Sequence, residues 1–206
     1  MKKQDLYSEL SSIRNLMERS TKFISLSGLS GIMAGIYALI GSFIGYKLVY
    51  PVSGGLLYRD NIVNDVSVLQ HLLFVAAGVL VFSVVTGVWL TIKQAGKKGE
   101  SFWNPISKRL LINFAIPLFT GGLFILIMIF KGNYGVVSSA SLVFYGLALV
   151  ASSQYTFSDV KWLGALEIML GLLAALFPGY GIVFWSIGFG LLHILYGTIM
   201  HFKYKQ

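Results

Sequence analysis

Apolar residues in this chain come in long continuous runs, separated by short clusters rich in Lys, Arg, Ser and Gly. A helix needs roughly 20 apolar residues to cross the hydrocarbon core of a bilayer. Six runs meet that need: 24–48, 71–92, 110–130, 136–153, 162–177 and 182–200. A membrane β-barrel instead alternates apolar and polar residues in segments of about ten. The pattern therefore predicts an all-α, polytopic membrane protein of six transmembrane helices. The fourth run is the most polar, with Ser138, Ser139, Ser141, Ser152 and Ser153. The fifth is short. The Phe177–Gly181 stretch, FPGYG, reads as a tight turn joining the fifth and sixth spans, because proline fixes φ and glycine tolerates positive φ.

Ahead of the first span, Leu6, Leu10, Ile13 and Met17 recur at helical spacing, with Arg14, Arg19 and Lys22 off that stripe. Residues 1–22 are expected to form an amphipathic helix on the cytoplasmic membrane surface. Residues 23–206 then form the six-helix transmembrane domain.

Composition agrees with this pattern. Hydrophobic residues make up 56% of the 206 and charged residues 12%, about half the usual share. That leaves too little polar surface to coat a soluble globule. The net charge of +8 is mostly a topology signal. With the N-terminus inside, thirteen Lys and Arg fall on the cytoplasmic side, against Lys47, Arg59 and Lys131 on the other. Positive charge gathers on the cytoplasmic face of membrane proteins, which places both termini inside. Charges spread over short flanking loops do not form a nucleic-acid surface. The loop carrying Lys93, Lys97, Lys98, Lys108 and Arg109 is the candidate contact for anionic lipid headgroups, at about 1 kcal/mol per basic residue near the surface.

Two ionisable groups lie at membrane depth, where a charge costs about 2.5–3.5 kcal/mol on insertion scales. They are Glu167 in the fifth span and His193 in the sixth. Counted from the turn at Gly179, they stand roughly 18 and 21 Å along their helices at 1.5 Å per residue, so their heights match. Each shares a face with small residues, which mark close helix approach. A buried Glu–His pair is therefore expected, and it is the candidate proton or ion relay. Asn113, Tyr145 and Tyr196 are the candidate lining of a path to it. The histidines are too dispersed for a zinc or haem site, so no metal and no cofactor is expected. No P-loop, H-E-x-x-H or G-x-S-x-G motif is present, and the chain does not read as an enzyme.

Glycine spacing suggests an internal repeat. Gly28–Gly41 set against Gly164–Phe177 agree at five of fourteen positions, and Gly78, Gly87 and Lys93 match Gly188, Gly197 and Lys203. The middle hairpin aligns only at Tyr145-Gly146 with Tyr196-Gly197. Gly31, Gly35, Gly41 and Gly45 make the first span a candidate packing face, within the chain or for a homo-oligomer.

The stretch from Gly164 to Met200, GALEIMLGLLAALFPGYGIVFWSIGFGLLHILYGTIM, resembles the hairpin unit of the HdeD-like membrane proteins. That unit is a glycine-bearing helix, a short proline turn and a second helix with a late glycine. The resemblance implies a six-helix bacterial inner-membrane protein built of three hairpins, some of whose relatives act in acid stress, with no catalytic residues. It covers the last hairpin, part of the first and little of the middle. Two functions follow as expectations. One is a small proton-coupled transporter or permeation protein with an unspecified small-molecule substrate. The other is a non-transporting stress-response, scaffold or sensory protein.

Overall fold

The computed structural model describes residues 23, 27–50, 66–99, 101–177 and 179–204. The amphipathic helix expected over 1–22 and most of the loop before the second span lie outside the described residues. Among those described, six long helices form and no strand. They are α1 (Gly28–Val49), α2 (Val66–Lys97), α3 (Pro105–Phe130), α4 (Val136–Ser152), α5 (Asp159–Leu176) and α6 (Gly181–Lys203). A 3₁₀ turn, Ser153–Tyr155, extends α4.

Five of the six are long and apolar enough to cross a membrane. The exception is α5, with only 18 residues and three charged ones, Asp159, Lys161 and Glu167. The second helix is longer than its apolar run: its 32 residues measure about 48 Å, against roughly 30 Å of hydrocarbon.

Helix ends are set locally. Asn104 caps α3: its Oδ1 accepts from the Ile106 and Ser107 amides at 3.0 and 2.8 Å, while Ser107 Oγ accepts from the Asn104 amide at 3.0 Å. Pro105 then begins the helix, where a missing N–H costs nothing. Gly99 and Gly132, at φ +68° and +76°, follow α2 and α3 in the left-handed conformation that ends a helix cheaply only with glycine.

The helices pack in a row. α2 lies on α1, α1 on α6, α6 on α5 and the start of α4, α5 on α4, and α4 on α3. α2 and α3 therefore end the row. At one end of the bundle, here the proximal end, the Phe23 amide donates to Tyr155 O at 2.7 Å and Thr156 Oγ donates to Phe23 O at 3.0 Å. Phe102 meets Phe23 edge-on there, and Leu149, Phe157, Val160, Leu163 and Met200 form a buried cluster. At the distal end the Tyr50 hydroxyl donates to Gly179 O, and Ser138 Oγ donates to Gly181 O at 2.6 Å. Phe23, ahead of α1, and Tyr50, at its end, are thus tied to loops far away in sequence.

Two reciprocal glycine crossings hold the row together. A methyl group on Gly146 would stand 2.6 Å from Gly164 O, and one on Gly164 would stand 2.7 Å from Gly146 O. The same holds for Gly28 and Gly197, at 2.6 Å each way. Backbones this close gain dispersion contact that any side chain would forfeit. The glycines of α1 are thereby occupied within the chain: Gly28, Gly31 and Gly35 meet α6, and Gly41 meets Val79 of α2. The glycine face of each aligned helix turns outside its own hairpin, α1 toward α6 and α5 toward α4.

The serines of α4 bond locally. Ser139, Ser141, Ser152 and Ser153 each donate to a carbonyl three residues back, at 2.7–3.1 Å, so their hydroxyls are satisfied within the helix.

Candidate functional site

Glu167 faces α6 from the buried middle of α5, with no exposed surface. Its Oε1 lies 3.4 Å from His193 Nδ1, and neither carboxylate oxygen has a hydrogen-bond partner. A buried polar group without a partner is costly, so it needs a reason.

His193 is held from two sides. Its Nδ1 is 3.0 Å from Gly188 O, and its Nε2 is 2.8 Å from the Tyr145 hydroxyl on α4. A carbonyl only accepts, so Nδ1 carries the hydrogen and Nε2 accepts from Tyr145. The tautomer is thereby set by the partners on either side. Tyr145 is fixed in turn by Phe114 of α3, edge-on with ring centroids 6.0 Å apart, and by Phe189 at 5.0 Å.

The local backbone explains this placement. Residues Ser186–Leu192 form a π-helical segment within α6. The His193 amide donates to Gly190 O, while its ring donates to Gly188 O five residues back. π segments are rare and concentrate at functional sites. Gly188 also makes room for Glu167 of α5: a methyl group there would collide with Glu167 Oε2 and stand 2.6 Å from Leu142 Cδ2. The carboxylate fills the space that glycine leaves.

Of the residues singled out from sequence, the structure brings Glu167, His193 and Tyr145 into one cluster. Asn113 is not part of it. Its Nδ2 donates to Arg109 O at 2.8 Å, along its own helix. Tyr196 lies nearer the proximal end, packed on the Leu149–Met200 cluster, with its hydroxyl buried and unpartnered. Gly190 and Gly197 of α6 do not share the neighbours of His193. Those glycines face α1, while His193 faces Tyr145 and Glu167.

Lys93, Lys97, Lys98, Lys108 and Arg109 all lie at the proximal ends of α2 and α3. Lys93 stands over the Trp89 ring at 5.3 Å and Lys108 over Trp103 at 5.5 Å, the arrangement of an aromatic and basic belt at a membrane interface.

Sequence reasoning missed Gly188, and also a proximal cluster in which Lys203 Nζ donates to both Asp159 oxygens, at 3.0 and 2.8 Å, and the Tyr204 hydroxyl to Oδ2 at 2.8 Å. Partial burial works against the Asp159 charge. The hydrogen bonds from Lys203 and Tyr204 outweigh it and hold the carboxyl below its ordinary range. No three His, Asp or Glu lie together among the described residues.

The fold and the cluster define a class: an all-helical chain with helices suited to crossing a membrane and a closed Glu–His–Tyr group between three of them. No family model, no curated protein and no solved structure matches the chain.

Proposed function

We propose that this is an integral membrane protein of six spans in which Glu167, His193 and Tyr145 pass a proton, serving a small proton-coupled permeation protein or transporter. The carrying observation is the Glu167 carboxyl, fully buried with no hydrogen-bond partner, 3.4 Å from a ring nitrogen that bears a hydrogen. The chemistry balances. A proton arriving by way of the Tyr145 hydroxyl enters at His193 Nε2, and the Nδ1 proton leaves to Glu167 Oε1. The imidazole is left as its other tautomer, and Gly188 O loses its donor. Each transfer therefore acts on the π segment of α6 as well as on charge. Imidazole suits this role because it both takes and gives protons near neutral pH.

The orientation rests on charge. Among the described residues the proximal end carries Lys93, Lys97, Lys98, Lys108, Arg109, Lys161 and Lys203, and the distal end carries Lys47 and Lys131. The positive-inside rule supports reading the proximal end, and with it both termini, as cytoplasmic. Residence in a bacterial inner membrane rests on the resemblance of residues 164–200 to HdeD-like hairpins.

A second reading is a non-transporting stress-response, scaffold or sensory protein. The complete burial of Glu167 against Gly188 and Leu142 favours it, because a closed contact suits a fixed helix register.

The test is proton flux into proteoliposomes holding a pH dye, under an imposed pH gradient and membrane potential. Wild type is expected to conduct, with Glu167→Gln and Tyr145→Phe silent at equal folded yield. Wild-type liposomes as tight as protein-free ones would remove proton conduction and leave the second reading.

A further inference from the structure

The Tyr196 hydroxyl is buried and has no hydrogen-bond partner among the described residues. A buried phenol ordinarily finds a partner, and a buried hydroxyl without one is where proteins hold ordered water. Its position gives the orphan a meaning. Tyr196 lies three residues past His193 toward the proximal end, about 5 Å along α6. Together with Tyr145 of α4 and Tyr204 at the end of α6, it packs on the buried cluster of Leu149, Phe157, Val160, Leu163 and Met200. Its hydroxyl is within electrostatic reach of Asp159, Tyr204 and Tyr145.

The three tyrosines form a series. At the inner end the Tyr145 hydroxyl donates to His193 Nε2. At the outer end the Tyr204 hydroxyl donates to Asp159 Oδ2. Both donate away from Tyr196, so both phenol oxygens keep lone pairs free, while Tyr196 keeps a hydrogen free. A buried water is held by about two to four polar partners, and one donor with two acceptors supplies them. The outer end meets solvent: the Asp159 side chain is 26% exposed and that of Lys203 52%. The distal side differs. Leu142, with no exposed surface, packs beside Gly188. Ser138, Ser139 and Ser141 in the distal half of α4 each give their hydroxyl hydrogen to a backbone carbonyl.

We infer that Tyr196 anchors buried water joining Tyr204 and Asp159 to Tyr145, and that the Glu167 group reaches solvent by way of the proximal end rather than the distal one. This rests on the reading of Glu167, His193 and Tyr145 as a group that passes a proton. A proton from the proximal solution adds to Asp159. It moves to the Tyr204 oxygen as that hydroxyl's own proton passes to the water. The water gives a proton to the Tyr145 oxygen, and the Tyr145 proton goes to His193 Nε2. At each oxygen one O–H bond forms and one breaks, so no phenolate remains. Tyr196 donates to the water throughout and is a positioning residue.

The test is exchange of the Tyr145 hydroxyl hydrogen for deuterium. It is read by NMR, in bilayers moved to heavy water, from the isotope shift of the Tyr145 ring carbon that bears the oxygen. Tyr196→Phe is expected to slow exchange by about tenfold or more, because the bridging water loses its anchor. Ser141→Ala, one turn from Tyr145 on the distal side, should leave the rate unchanged. Melting temperature separates a wet site from a dry one. Tyr196→Phe should melt below wild type, whereas removing a dry, unpaired hydroxyl leaves the melt unchanged or raises it. Equal exchange in wild type and Tyr196→Phe, equal slowing by Ser141→Ala, or a Tyr196→Phe melt at or above wild type overturns the inference. Proton flux separates it from the reading beneath it. If wild type and Tyr196→Phe conduct equally, the proximal route falls and the relay stands. If wild type does not conduct but exchange at Tyr145 still needs Tyr196, the relay falls and the buried water stands.

Discussion

Gly188→Ala is the sharpest probe of the Glu167 cluster. The added methyl would overlap Glu167 Oε2 and approach Leu142 Cδ2 to 2.6 Å, well inside the 3.4 Å at which carbon contacts become ordinary. Either the carboxylate retreats by about an ångström, which breaks its 3.4 Å approach to His193, or α5 and α6 part by that amount. Overpacking of this kind costs about 1–3 kcal/mol. Alanine returns about 0.5–1 kcal/mol through helix propensity. The net expectation is a loss of about 1–2 kcal/mol. The assay is reversible unfolding in mixed micelles followed by tryptophan fluorescence, to which Trp185 contributes through its contact with Phe189 at 5.0 Å. A double-mutant cycle isolates the cause. In a Glu167→Ala background the colliding oxygen is gone, and Gly188→Ala should cost at least 1 kcal/mol less, leaving only the Leu142 contact. Equal cost in the two backgrounds, or stabilisation in the wild-type background, would refute the fit between carboxylate and glycine.

Three further outcomes follow. Tyr145→Phe keeps the rings packed but strips the donor from His193 Nε2, so stability should fall by about 1–2 kcal/mol, and the ring NMR signals of His193 should show mixed tautomers. Gly146→Ala should destabilise by about 1–2 kcal/mol because its methyl meets Gly164 O at 2.6 Å, whereas Gly78→Ala, with open space around it, should stabilise by about 0.5 kcal/mol; thermal melts of the two variants compare them directly. The Asp159 carboxyl titrates below its ordinary value of 3.8 in the folded protein, so its stabilisation is complete above that pH and fades as pH falls through the lowered value; Asp159→Asn should flatten that part of an acid-unfolding curve.

The helices are legible in the sequence because a bilayer demands about 20 apolar residues in a row, and that demand leaves an unbroken signal. The pairing of Glu167 with His193 is legible for a similar reason: the FPGYG turn fixes where two antiparallel helices begin, and counting from it fixes height. What counting cannot supply is direction around the helix. The π segment at Ser186–Leu192 holds His193 to Gly188 O while Gly190 and Gly197 turn to α1, and no residue in SIGFGLL announces that change. Tyr145 reads from sequence as lining, but its bond to His193 depends on which helices are neighbours, a long-range fact. Asn113 reads from sequence as a functional polar group, and its amide donates to a carbonyl one turn back, a bond the spacing alone does not announce. The Asp159–Lys203–Tyr204 cluster joins residues 44 and 45 positions apart, with no local spacing to betray it.

The packing of α1 on α6 also constrains how the chain is made. Gly28 meets Gly197, so α1 finds its main neighbour only in a helix made more than a hundred residues later. Until then α2 shields one flank of α1, and the row of glycines facing α6 stays without its partner. At about 5–20 residues per second, the intervening stretch occupies the ribosome for on the order of ten seconds or more. Any truncation before α6 leaves that row permanently open. Assembly of this bundle therefore waits in its decisive step for α6, and a chain shortened before α6 has no partner with which to close.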